Sequence, residues 1–140
     1  MVREAVKVEA TGQIANIRTY SISDANTIAK GTLLVWTGDL TASSSTTTSS
    51  GAMFCGVALA DKEAADGSTF ISVDIGGVWD LAASGAIASG QKVMLANGTN
   101  YVQTVNVGTA ANIASGAVVV GTALETATDA EIIMVDLSKR

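Results

Sequence analysis

Thirteen carboxylates, eight lysines and arginines, one cysteine and no histidine make up the reactive chemistry of this 140-residue chain. Without histidine there is no Ser-His-Asp relay, no imidazole metal ligand and no imidazole proton shuttle. The densest acidic segment is Asp61-Lys62-Glu63-Ala64-Ala65-Asp66-Gly67. Paired carboxylates act as acid and base only where a pocket drives their pKa values apart. A polar turn between strands leaves them in water, and their spacing is not that of a calcium loop. A carboxylate hydrolase would draw on Asp61, Glu63 or Asp74. Ser89-Gly90-Gln91-Lys92 has the Ser-x-x-Lys spacing of serine-lysine acyl enzymes. That motif needs a helix to bring both side chains to one face, and here it leads from a glycine turn into a strand. Asn97-Gly98-Thr99 fits a glycosylation sequon, but a hairpin turn explains it fully. Cys55 alone makes neither an intramolecular disulfide nor a cysteine zinc site. Its run, Met53-Phe54-Cys55-Gly56-Val57, has no basic neighbour to activate a thiol, so it reads as a small buried hydrophobe. The residues predict no catalysis, no metal and no cofactor.

The elements that hold these residues read as strands. Hydrophobic residues make up 48% of the chain and charged residues 15%, with 14 glycines and no proline. That charge content excludes charge-driven disorder, and the length fits one domain with a real core. Period-two alternation runs through residues 3–10, 69–75 and 131–137. Lys92 to Ala96, Asn97-Gly98 and Thr99 to Val105 read as a hairpin, because both turn residues tolerate positive φ. Short strands punctuated by glycine predict an all-β barrel or sandwich.

The chain also matches itself. Ile28-Ala29-Lys30-Gly31 parallels Ile87-Ala88-Ser89-Gly90. Gly51 to Leu59 parallels Gly116 to Leu124, and Ile71-Ser72-Val73-Asp74-Ile75 parallels Ile133-Met134-Val135-Asp136-Leu137. Each half predicts a three-strand unit that cannot bury its apolar face alone. Two units facing each other would close one quasi-twofold barrel over 23–140, with quasi-repeats at about 28–77 and 87–137. The repeated glycines would mark turns or bulges. Residues 41–50, all Ser, Thr or Ala, read first as an exposed loop and second as a pairing edge strand. Residues 1–22 have no counterpart in the second half. They read equally as a first strand or as an arm that pairs with a neighbour's sheet edge.

Net charge is −5 and the basic residues are scattered, which disfavours nucleic-acid binding. No run of 18 apolar residues predicts a membrane span. Arg3, Glu4, Lys7 and Glu9 stand where a signal peptide would be apolar, which predicts a product made and used in the cytoplasm or leaving the cell as part of something else. Trp79, on a glycine-bounded strand, reads equally as a core residue or as a contact between chains, and Leu81 shares that strand.

The order Gly56-Val57-Ala58-Leu59, Ile71 to Ile75, Gly76-Gly77-Val78-Trp79-Asp80-Leu81, Gly90-Gln91-Lys92-Val93 and Gly121-Thr122-Ala123-Leu124 resembles the phage capsid cement, or decoration, proteins. The resemblance covers roughly residues 28–137, and in outline it extends to the head-decoration proteins of lambda-like phages. It implies a β-barrel or β-tulip-like fold, to which this chain's own residues 1–22 would add the extended N-terminal arm or first strand. It also implies a structural role on the outer surface of the expanded virion head, bound to the major capsid protein as a homotrimer. On that reading Val2, Arg3, Val6, Val8, Ile14 and Ile17 of the arm would touch the capsid, and Trp79 and Leu81 a neighbouring subunit. The Ser/Thr run and the long N-terminal stretch depart from the family pattern. The alternatives are another virion component, such as a head-fibre base or tail protein, and a small-ligand or carbohydrate-binding β module. The last would expose Trp36 or Trp79 on one face.

Overall fold

The computed structural model describes residues 5–9, 17–45, 52–105 and 118–137. Those residues contain strands and no helix, as the alternation predicts. The strands are β1 (Val6–Glu9), β2 (Ile17–Ser21), β3 (Leu33–Gly38), β4 (Thr41–Ser44), β5 (Phe54–Ala58) and β6 (Phe70–Asp74), followed by β7 (Val78–Ala83), β8 (Lys92–Leu95), β9 (Tyr101–Thr104), β10 (Val119–Ala123) and β11 (Ile132–Asp136).

The halves do not share one barrel, as the sequence suggests; each closes its own. Strands β2-β4-β3-β5-β6 form a closed five-stranded barrel. Strands β7-β11-β10-β8-β9 follow the same circuit, and β9 returns to β7 through a parallel pairing of Ala82 with Tyr101 and Ala83 with Val102. Its counterpart in barrel 1 is the parallel pairing of Ser21 with Thr41.

The duplication extends to single bonds and torsions. The bridge Ile28–Lys62 recurs as Ile87–Ala127. Gly31 N–H donates to Ala58 O at 2.8 Å, and Gly90 N–H to Ala123 O at 2.8 Å. Among the described residues, the non-glycine residues of positive φ fall into two equivalent pairs, Leu40 (48°) with Asn100 (64°) and Ala65 (59°) with Ala130 (68°).

The predicted hairpin anticipates β9 of barrel 2, and what the sequence hides is its counterpart in the other half. In barrel 1 it is β4, the start of the Ser/Thr run, and it pairs with β3 from Leu34–Ser44 to Gly38–Thr41. The loop reading is therefore corrected over Thr41–Ser44, which is a strand as the second reading has it, though an interior strand of the closed barrel and not an edge. The remainder of that run, 46–50, lies outside the described residues. A strand with so little apolar content forms because both its neighbours offer backbone partners, and only Ala42 of its side chains is buried.

Two cores meet along β3 and β5. Leu34, Cys55, Ala58, Tyr20 and Val73 fill barrel 1. Leu33, Phe54 and Val57 face the other way, into a core shared with Leu81, Val93, Val120 and Val135 of barrel 2. Strand β5 is thus buried at every position, which is why its sequence is a continuous apolar run without alternation. The glycines in the repeated blocks are close approaches. A Cβ on Gly56 would overlap the Val73 side chain and come within 2.9 Å of Asp74 O. A Cβ on Gly121 would overlap the carbonyl oxygen of Asp136, the residue equivalent to Asp74.

Strand β1 pairs antiparallel with β7 of its own chain, Val6 opposite Asp80 and Lys7 opposite Trp79. Over residues 6–9 the first-strand reading is therefore the one observed, and the free-arm reading of Val6 and Val8 is corrected. Ala5 N–H donates to Gly31 O at 2.7 Å, tying the segment to barrel 1 as well.

Candidate functional site

The acidic turn is a structural cap. Lys62 is 3% exposed, and its Nζ donates to the carbonyl oxygens of Asp24 (3.1 Å), Asn26 (3.2 Å) and Glu63 (3.0 Å) and to Asp66 Oδ1 (3.3 Å). The ammonium is a fixed post joining the β2–β3 and β5–β6 connections. Asp66 also accepts the N–H groups of Ser68 (2.8 Å) and Glu63 (3.2 Å). The Ser68 amide first, and then Lys62, hold its carboxyl below the usual range against the effect of burial. Asp61 accepts the Lys30 N–H at 2.7 Å. Asp74 is buried and accepts the Gly76 N–H at 3.1 Å. Of the carboxylates weighed for hydrolysis, Asp61 and Asp74 therefore hold backbone amides, while Glu63 takes part through its backbone N–H and carbonyl. Among the described residues no cluster of Cys, Asp and Glu side chains could hold a metal ion.

Ser89 and Lys92 are separated by a turn. Ser89 Oγ donates to Leu124 O at 3.4 Å and Lys92 Nζ to Thr122 Oγ1 at 2.8 Å. The residues around Asn97-Gly98 form the connection from β8 to β9, longer than the two-residue turn the sequence suggests, with Ala96 N–H donating to Tyr101 O at 2.9 Å. Cys55 is buried, as expected.

Trp79 and Leu81 are core residues of their own chain, 4% and 1% exposed. The Trp79 indole N–H donates to Gly76 O at 2.8 Å, so its polar edge is satisfied in place. Of the two readings weighed for Trp79, the core placement is the one observed. Ile17 is 53% exposed on β2. Val2, Arg3 and Ile14 lie outside the described residues.

The surface that stands out is the open end of barrel 1. Trp36, Thr37, Gly38, Asp39, Leu40 and Met53 line an open groove of about 670 Å³. Trp36 is half-buried and supported edge-on by Tyr20, with ring centroids 5.1 Å apart and planes at 86°. Leu40, at the tip of the β3–β4 hairpin, is 64% exposed in a left-handed conformation that an L-residue adopts at a cost. Met53 and, across the sheet on β6, Phe70 are also exposed. Among the described residues barrel 1 thus carries most of the exposed large apolar side chains, and the one ionisable group lining the groove is the Asp39 carboxylate. Such a groove can seat an apolar partner, and it offers no second group for acid–base work.

Two residues escaped the sequence reading. Asn100, 2% exposed, accepts the Leu33 N–H through Oδ1 at 2.7 Å and donates through Nδ2 to Gly31 O at 3.0 Å. It is the polar joint between the barrels. Lys62 is the other, and its signal was present: the repeat places Ala127 at the same bridge, so a charged residue there has to be answered by local oxygens.

No protein-family profile matches the chain, and no curated protein matches it. Among solved structures it is similar to the head fiber gp8.5 N base of bacteriophage phi29, at 17% identity and a TM-score of 0.51, covering 88% of this chain and 93% of that one. At that identity the likeness establishes the all-β fold, extending over nearly the full length of both chains.

Proposed function

We propose that this chain is a structural, non-enzymatic component of a phage virion, built as a head-fibre base that seats on the outside of the head. The observation that carries the reading is the fold match to a phage head-fibre base across 88% of this chain and 93% of the other. The geometry is consistent with it. Lys62, Asp74 and Asn100 serve turns and the barrel joint, and the exposed Leu40 and Met53 share one groove with Trp36 where a partner could sit. A decoration protein that clamps the expanded shell is the second reading, favoured by the order of glycine blocks over residues 28–137. Many copies sharing one shell would let modest contacts suffice on either reading, and binding would stabilise the shell by mass action.

The N-terminal capsid contact is part of this proposal, now resting on Val2 and Arg3 ahead of β1 and on Ile14 and Ile17 after it. Because β1 belongs to the chain's own sheet, removing residues 1–4 tests that contact without removing a strand.

The test is co-sedimentation of the purified chain with expanded, undecorated heads and with unexpanded procapsids, alongside its mass without shells. A defined oligomer free in solution that binds heads saturably supports the fibre base. A chain that binds expanded heads only, and assembles only there, supports decoration. Failure to bind either particle overturns both.

A further inference from the structure

The two barrels are joined head to tail, and the chain uses that joint once. The β8–β9 tip of barrel 2 sits where β3 begins in barrel 1. Asn100 bonds to Leu33 and Gly31 there, and Thr99 Oγ1 donates to Ser45 O at 3.4 Å. Gly31, Thr32 and Leu33 are buried under it. Their equivalents in barrel 2, Gly90, Gln91 and Lys92, are exposed. Conversely, the equivalent tip of barrel 1, residues 37–40, is exposed, with Leu40 at 64% where Asn100 is at 2%. Each chain therefore presents an uncovered tip on one barrel and an uncovered tip-receiving face on the other.

The two surfaces match in chemistry. The tip offers Trp36, Leu40 and Met53 with the Asp39 carboxylate beside them. The face offers Leu124, 41% exposed and held next to Gly90 by the Ser89 Oγ bond to its carbonyl, together with Lys92. In barrel 1 the counterpart of Leu124 is Leu59, which is half-buried and packs into the shared core at the existing joint. An apolar contact at that point is thus already in use within the chain.

We propose that the occupant of the groove is a second copy of this chain. The barrel 1 tip of one copy seats on the Leu124–Lys92 face of the next and repeats the internal joint between molecules. Leu40 cannot make the two bonds of Asn100, so this contact rests on apolar packing and the Asp39–Lys92 pair and is weaker than the internal joint. A head-to-tail contact of this kind closes into a ring or extends as a filament. The proposal stands on the repeat geometry alone and is independent of a role in a virion.

Sedimentation velocity of the full chain tests it. Mass that rises with concentration is expected, and Leu40→Asp weakens association about tenfold or more. Asp is well tolerated at positive φ, so this variant keeps its fold. Asp39→Lys also weakens association, and mixing it with Lys92→Glu restores it. Under mild oxidation, Leu40→Cys chains mixed with Leu124→Cys chains give mixed disulfide dimers in preference to like pairs. A chain monomeric at every concentration, association unchanged in Leu40→Asp, or a predominance of like-with-like cross-links overturns the proposal.

Discussion

Replacing Asn100 with glycine isolates the polar joint between the barrels. Glycine keeps the φ of 64° that this position requires, so only the side chain is lost. Two hydrogen bonds go with it. Gly31 O keeps the Ala5 N–H at 2.7 Å, whereas the Leu33 N–H, on a residue 0% exposed, loses its 2.7 Å acceptor. An orphaned buried donor costs about 1–3 kcal/mol. The second bond contributes about 1 kcal/mol, and the added freedom of the unfolded chain about 0.5–1 kcal/mol. The sum is a loss of about 2.5–5 kcal/mol, a large share of the roughly 5–15 kcal/mol typical of a domain. Trp36 lies in barrel 1 and Trp79 in barrel 2, so each barrel carries its own fluorophore. In urea titrations, Trp36→Phe and Trp79→Phe backgrounds report the barrels separately. With Asn100 present the two midpoints coincide. With Asn100→Gly both fall and they separate, because the joint couples the barrels. A loss below about 1 kcal/mol with coincident midpoints would refute the reasoning.

Three further outcomes follow from the same geometry. Gly121→Ala forces a methyl into the Asp136 carbonyl and costs about 3 kcal/mol or more, as does Gly56→Ala; thermal melts followed by circular dichroism check both. Ala65→Gly and Ala130→Gly relieve left-handed strain of about 1 kcal/mol each, partly offset by unfolded-chain entropy, so each raises Tm slightly and the double variant does so additively. The depressed Asp66 pKa gives stability that is fully present above the ordinary value of 3.8 and is lost as pH falls through the lower folded value; Asp66→Asn flattens the acid limb of a stability–pH profile, and an unchanged limb would show that the turn contributes nothing there.

Much of the architecture was legible in the residues. Alternation marked β6 and β11 because each has one face on a core and the other toward solvent. The glycine blocks marked the duplication because Gly56 and Gly121 approach equivalent backbone. What the sequence hid was closure. Strand β4 carries Ser and Thr, so no apolar period announces it, and its pairing with β2 and β3 is a tertiary event. Strand β5 was legible through the repeated glycine block rather than through alternation, because both its faces are buried. Trp79 could not be assigned because a tryptophan on a glycine-bounded strand suits a core and an interface equally. Of the candidate site, Trp36 was named only as a residue a ligand-binding module would expose, and Met53 only as part of the apolar run around Cys55. Leu40 and Asn100 occupy the same turn position, yet one is exposed and the other buried. That difference depends on which barrel end is covered, and no local pattern encodes it.

The proposed virion role is tested most directly by labelling purified particles of a phage whose genome encodes this chain with a gold-conjugated antibody against it and imaging them. Label on the outer surface of the heads, at a fixed number of sites, is the predicted result. Particles that lack the chain altogether, or that carry it only at the tail, would contradict the account.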